Sequence, residues 1–303
     1  MTADIIPFDR NDIAFNARQF VLTTMPHADP GNVPIWVRKN GNIVLRITPG
    51  YRTNPKTGEQ VFIGYPYGST AFLFSFWMVT EIVTTKSRVL KPSGNLSDFM
   101  RELGMNPSGR GKKSGAAALY NQAERYLNSL YTFEEFKKIG NRDACNWVNI
   151  PITAGGKNGG YQLWWNITNS TSDSIFETQI IVGEQFFEAC LHAPIPAKMS
   201  VLRALKKSVL GLNLYAWLQR EAYQVQRNDK PRFVHWTSLG EQLGCHYASP
   251  YDLAKKVKRE LQKIQENWTG LFLGDRPGGI EILPGSLPDV PMREARVVME
   301  SII

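Results

Sequence analysis

Reactive residues are scarce in this chain. Three cysteines stand among 303 residues, at Cys145, Cys190 and Cys245. They are odd in number, far apart and never at metal-ligand spacing. That excludes a disulfide framework and a cysteine zinc site, and fits reduced thiols in a cytoplasmic protein. The four histidines, His27, His192, His235 and His246, form no pair at zinc spacing and no His-x-His motif, so the metal site of a DNA-nicking enzyme has no visible donors. Cys245-His246 falls in a predicted turn between helices, a poor setting for thiol catalysis. Carboxylates are scattered, without an acid–base or metal cluster. Long apolar runs are missing as well: the richest, Ala71–Val79, falls far short of the roughly 20 residues that span a bilayer. The first residues, with Asp4, Asp9, Arg10 and Asp12, lack the basic–apolar–small order of a secretion signal. Two glycine–lysine pieces fail as phosphate loops. Gly111-Lys112 has Asn106 where the first glycine belongs and Lys113 in place of the hydroxyl residue; Gly156-Lys157 has Pro151 and Asn158 at those places. The expectation is a protein without metal, cofactor, membrane or catalytic activity.

What the chain does have is positive charge and well-marked helix ends. Lys plus Arg number 35 against 27 Asp plus Glu, giving a net charge of +8 and a pI of about 9.3, which suits a polyanionic partner. The richest stretch is Pro231–Ile282. A β-prone run, Arg232–Trp236, leads to Thr237 or Ser238 as N-cap, with Glu241 and Gln242 placed to return the capping bond. A short helix, Ser238–Leu243, stops at Gly244. Ser249 then caps a second helix with Pro250 at its first position, ending near Trp268. Two short strands, Leu271–Leu273 and Ile280–Leu283, follow around Gly274–Gly279. Helix, tight turn, longer helix and hairpin is the order of a winged helix-turn-helix.

The longer helix has two faces. Leu253, Val257, Leu261, Ile264 and Trp268 recur at spacings of three and four and form a buried stripe. Opposite them the helix is basic, with five Lys or Arg and two acids between Ser249 and Lys263. A merely solubilising face would look alike. The sharply defined start and the second place in a helix-turn-helix favour a helix whose N-terminus enters a major groove. Its candidate DNA-contacting residues are Ser249, Tyr251, Lys255, Lys256, Arg259 and Lys263, joined by Arg276 at the wing tip.

The same order occurs earlier. Residues 1–30 read as an arm with one helix near Asp12–Leu22. A hairpin turns at Lys39-Asn40-Gly41, and a second turn at Thr53–Glu59 leads into Gln60–Tyr65. Ser69 is placed to cap an apolar helix, Thr70–Thr85; Asn95 and Asp98 start Leu96–Leu103; and a long helix runs from Ser114 to about Leu130. Strands Tyr131–Ile139, Ala144–Thr153 and Gly160–Thr168 follow, the last two joined by a glycine-rich tip at Gly155–Gly160. Ala116, Leu119, Ala123, Leu127 and Leu130 make that helix's buried stripe, and Ser114, Asn121 and Arg125 point away from it. Asn and Arg suit bidentate base contact, although a solvated polar face fits them nearly as well. Arg110, Lys112 and Lys113 in the preceding loop suit phosphate. The predicted fold class is α+β, two tandem winged-helix domains with short antiparallel wings: an arm (1–30), a first winged helix (31–182), a second (183–285), and a tail (286–303), with Pro194-Ile195-Pro196 as the marker between the two units.

One segment is more specific. Ala193–Tyr223, with Arg203-Ala-Leu-Lys-x-Ser208 followed by Leu212-x-Leu-Tyr-x-Trp-Leu218, resembles the plasmid replication initiators of the RepA type. The downstream helix-turn-helix and the run from Ile5 to Asp12 fit too, and the likeness is strongest from Ala193 to Leu283. The resemblance implies binding of double-stranded DNA at repeated plasmid-origin sites (iterons), strand opening, and recruitment of a host initiator and replicative helicase in the bacterial cytoplasm. It also implies a homodimer, made through the first unit and able to repress its own gene, in equilibrium with a monomer. A plain sequence-specific transcriptional regulator is the alternative reading.

Overall fold

The computed structural model describes residues 9–92, 94–108, 114–140, 142–155, 159–163, 178–245 and 247–300. The fold is mixed α and β, with helices set among small antiparallel sheets. Its centre is α2 (Gly68–Thr85), buried at every position from Ala71 to Val79. A helix apolar nearly all round must be covered on all sides. Here β1 (Ile13–Asn16), α4 (Gly115–Asn128), α5 (Glu184–Leu191) and α7 (Val209–Asn228) surround it. Trp77 stacks on Phe74 at 5.6 Å and meets the edge of Phe99 at 4.8 Å. Fully burying each such ring contributes roughly 1.5–3 kcal/mol. Ser69 does not cap α2: Tyr67 holds the cap position without a side-chain bond, and the helix starts one residue before the predicted Ser69 cap.

Of the predicted arm, the described residues 9–30 are packed into the fold. The expected single helix is split into strand β1 and a short helix α1 (Arg18–Leu22). All four residues of β1 are buried, and it pairs antiparallel with β11 (Ile195–Lys198), Ile13 opposite Lys198 and Asn16 opposite Ile195. Burial on both faces outweighs the helical spacing of this stretch. Phe20 of α1 inserts edge-on among Tyr131, Phe133 and Phe186 at 5.3–6.0 Å.

Strands β2 (Trp36–Asn40) and β3 (Ile43–Thr48) form the expected hairpin, with Gly41 at φ +59° in its turn. β4 (Gly50–Thr53) and β5 (Gln60–Gly64) form a second one. After β6 (Val89–Leu90), α3 (Leu96–Glu102) opens on a full capping box between Asn95 and Asp98. β7 (Leu130–Ile139) and β8 (Arg142–Pro151) pair along their whole length, and β7 also pairs with β3, making the sheet β2-β3-β7-β8. The tight turn of this wing is therefore near Gly140. The glycine-rich segment after residue 153 does not join paired strands, because β9 (Gly160–Gln162) pairs with β10 (Gln179–Ile181) instead of β8. The rest of the predicted strand to Thr168 lies outside the described residues.

The second half runs α5, β11, α6 (Met199–Leu205), α7, β12 (Arg232–His235), α8 (Trp236–Leu243), α9 (Pro250–Gln265), β13 (Leu273–Gly274) and β14 (Gly279–Ile282). β14 lies between β12 and β13. α8 starts two residues before the predicted Ser238 and has no side-chain cap. Its first N–H, on Trp236, donates to the Gly278 carbonyl of the β13–β14 turn (3.1 Å), so that turn does the work of a cap. The segment predicted as a tail is docked. Gln219 of α7 accepts from the Asp289 N–H (2.8 Å) and donates to the Val290 carbonyl (2.9 Å), Lys198 pairs with Asp289 (2.7 Å), and α10 (Met292–Glu300) follows. One continuous core links both halves.

Candidate nucleic-acid interface

α9 is positioned from both ends. Ser249 Oγ accepts from the Asp252 N–H (3.2 Å) and donates to its carboxylate (2.7 Å), and Pro250 fills the first helical position. Leu253, Val257, Leu261 and Ile264 are buried toward α7 and α8. α8 closes on α9 at Gly240, where an added methyl would lie 2.9 Å from Leu253 Cδ2. The opposite face is open. Lys255, Lys256, Arg259 and Lys263 are exposed, and Tyr251, beside the N-terminus, is 77% exposed. Arg276, exposed in the turn between β13 and β14, stacks on the Phe233 ring of β12 at 4.1 Å, which holds its guanidinium in place. The structure therefore brings Ser249, Tyr251, Lys255, Lys256, Arg259 and Lys263 together on one helix, followed by the β13–β14 hairpin that carries Arg276 in its turn.

One acid in that helix is not a surface residue. Glu260 is fully buried; its carboxylate accepts from Arg259 Nη2 (2.9 Å) and Nε (3.2 Å) and from Lys263 Nζ (2.8 Å). It reaches over the first turn of α7, where a methyl added at Gly211 would lie 3.0 Å from Oε2. A helix N-terminus favours such a charge. Burial raises the Glu260 pKa, but the hydrogen bonds from Lys263 and Arg259 outweigh it and hold the carboxyl below its ordinary value. Sequence spacing placed Glu260 beside basic neighbours without revealing that it is their buried anchor.

The first half is less open. Ser114 is buried, its hydroxyl committed to the Ala117 N–H at the start of α4. Arg125 is half-buried: it donates to the Tyr65 carbonyl (3.3 Å), pairs with Asp29 (3.4 Å) and lies 5.3 Å above Tyr67. Asn121 is exposed. The β4–β5 hairpin leans on this face, with Arg52 bound to Glu124 (3.2 Å) and Gly50 against Asn128. Arg110, Lys112 and Lys113 lie outside the described residues.

The family motif has a structural place in this frame. Arg203 Nε donates to the Glu102 carbonyl (2.9 Å) and Lys206 to the Gly104 carbonyl, both at the end of α3, while Ser208 caps α7 through the Gly211 N–H (3.0 Å). Residues 65–237, from the strand before α2 into α8, match the family model described as plasmid encoded RepA protein. The chain belongs to that family. This RepA-family chain also resembles two crystal structures of RctB domains 2 and 3. Each shares 11% identity with it, covering 86% and 88% of this chain and 95% and 97% of those, with TM-scores of 0.45 and 0.47. No curated protein sequence matches it significantly. Among the described residues no helix is long and apolar enough to cross a membrane.

Proposed function

We propose that this RepA-family protein initiates plasmid replication by binding duplex DNA at repeated origin sites through two winged helices, with the second as main reader. The observation that carries the proposal is the exposed row Tyr251, Lys255, Lys256, Arg259 and Lys263 on a sharply capped helix, with Arg276 exposed in the hairpin turn that follows in the chain. In this reading the N-terminus of α9 sits in a major groove, Arg259 contacts base edges, and Lys255, Lys256, Lys263 and Arg276 contact phosphates. α4 enters an adjacent groove through Asn121, with the loop residues Arg110, Lys112 and Lys113 on backbone. The protein acts without catalysis or cofactor, opens the origin, and hands it to a host initiator and helicase. A homodimer in balance with the monomer represses its own gene.

Selection of bound duplexes from a random pool, followed by sequencing, tests this. An asymmetric site of about two helical turns is expected from two reading units in one chain. A short inverted repeat would instead indicate a dimeric regulator, and no enrichment would overturn the reading. With about six phosphates neutralised, affinity should fall roughly 10³-fold between 50 and 200 mM salt. Arg259→Ala should lose sequence preference together with affinity. Nicking of supercoiled origin DNA in Mg²⁺ would overturn the non-catalytic assignment.

A further inference from the structure

The two halves hold each other at equivalent places. In the second half, α8 ends at Gly244 (φ +65°), with the Cys245 N–H returning to the Gly240 carbonyl (2.9 Å). In the first, α3 is followed by Gly104 (φ +70°), with the Met105 N–H returning to the Met100 carbonyl (2.7 Å). Both are Schellman ends, which leave carbonyls of the last turn without helical partners. At each end the missing donor is an arginine from the opposite half. Arg38 of β2, buried, donates through Nη2 to the carbonyls of Glu241 (3.2 Å) and Gln242, and through Nη1 to Thr24, whose hydroxyl in turn reaches the Leu243 carbonyl (3.4 Å). Arg203 of α6 donates to Glu102, with Lys206 on Gly104. Each arginine lies directly over the terminal glycine. A methyl added at Gly244 would sit 1.5 Å from Arg38 Nη1, and one at Gly104 2.7 Å from Arg203 Cγ.

These clamps act on the helix that precedes each candidate reading helix. α8 is locked to α9 at Gly240 and Leu253; α3 is locked to α4 at Gly115, where a methyl would lie 2.9 Å from Met100 Cε. Close-packed contacts of this kind transmit displacement instead of absorbing it. A cation at a helix C-terminus is also favoured by the helix dipole.

We infer that Arg38 and Arg203 are positioning residues that fix the separation and rotation between α4 and α9, so that the protein measures the spacing between the two DNA segments it reads. This rests on the two-unit DNA reading above. The test uses the full chain and the selected duplex, with and without two base pairs inserted between its halves, a rotation of about 70° on a helix of about 10.5 base pairs per turn. Wild type should lose about tenfold or more in affinity on insertion, the size of one strong coupling. Arg203→Met and Arg38→Met should bind both duplexes within about threefold of each other, with circular dichroism and thermal melting confirming the fold. Should Arg38→Met fail to fold, Arg203→Met carries the test, because Arg203 is only half-buried. Arg38→Lys should restore part of the spacing preference. Folded Arg203→Met with the full wild-type penalty overturns the inference, as does a wild type that selects a site yet tolerates the insertion. A wild type that selects no site at all overturns the DNA reading itself.

Discussion

Replacing Glu260 by Gln changes one charge and almost no volume, yet it should alter both stability and DNA binding. The wild-type carboxylate accepts three charge-assisted hydrogen bonds, at 2.8, 2.9 and 3.2 Å. Such bonds contribute about 1.5–3 kcal/mol each in sheltered sites. The donors Arg259 and Lys263 are 59% and 47% exposed, so water and salt screen much of that. Gln still offers one acceptor oxygen. A net loss of about 1–2 kcal/mol follows, or a fall in Tm of roughly 1.5–3 °C for a chain of this length. The pH dependence has a definite sign. The Glu260 pKa is lowered in the folded protein, so its contribution is present above the ordinary carboxylate pKa and is lost as pH falls through the lowered one. Wild type and Glu260→Gln should therefore differ fully at pH 7 and converge in acid. On DNA the direction reverses. Without the Glu260 charge, Lys263 is no longer neutralised by a carboxylate beside the phosphate it contacts, so the slope of log K against log salt should steepen by up to about 0.9. Thermal melts at several pH values and duplex titrations at several salt concentrations measure both. An unchanged Tm together with an unchanged salt slope would refute the view that Glu260 anchors Arg259 and Lys263.

Other outcomes follow from the same structure. Gly244→Ala should cost about 3 kcal/mol in chemical unfolding, combining left-handed strain with the displaced Arg38 bonds. Gly41→Ala, at φ +59° with open space around it, should cost only about 1 kcal/mol. In the native protein at pH 8 a thiol reagent should label Cys145 rapidly and the other two cysteines slowly. Cys145 is exposed, whereas burial raises the Cys190 pKa far above its ordinary value and pushes Cys245 up to about 12. Burial, then the nearby charge of Glu102, raises the Glu81 pKa to about 7. The folded state then binds the extra proton, so stability should decline as pH rises from about 4.5 to 7 and level off above. Glu81→Gln should flatten that decline in Tm.

The helices around α9 were readable because their ends are written locally, in Ser249, Pro250 and Gly244, and their buried stripe in residues three and four apart. What the sequence concealed depends on residues distant in the chain. Arg38 lies in a β-prone run where alternation gives no reason to bury a guanidinium; only the end of α8, brought against it by the fold, supplies the carbonyls. Glu260 reads as one more charge on a soluble face because its burial is set by Gly211, on a different helix. Ser114 and Arg125 share the outward row of α4 with Asn121, but the first is consumed by its own helix cap and the second by Asp29, Tyr65 and Tyr67. Helical periodicity identifies a face; it does not show which hairpin, here β4–β5, will lean on it.

The pairing of β1 with β11 also affects how the protein is made. The two strands stand about 180 residues apart, and at 5–20 residues per second roughly 10–40 s of synthesis separate them. Through that interval the four buried residues of β1 have no edge to join, and α2 lacks the cover of α7. The nascent chain must therefore carry its most apolar segments unprotected, which invites chaperone capture and makes folding slow. The same delay acts as quality control. A chain cut short before Ile195 cannot seat its first strand, so a prematurely terminated product should be degraded instead of accumulating.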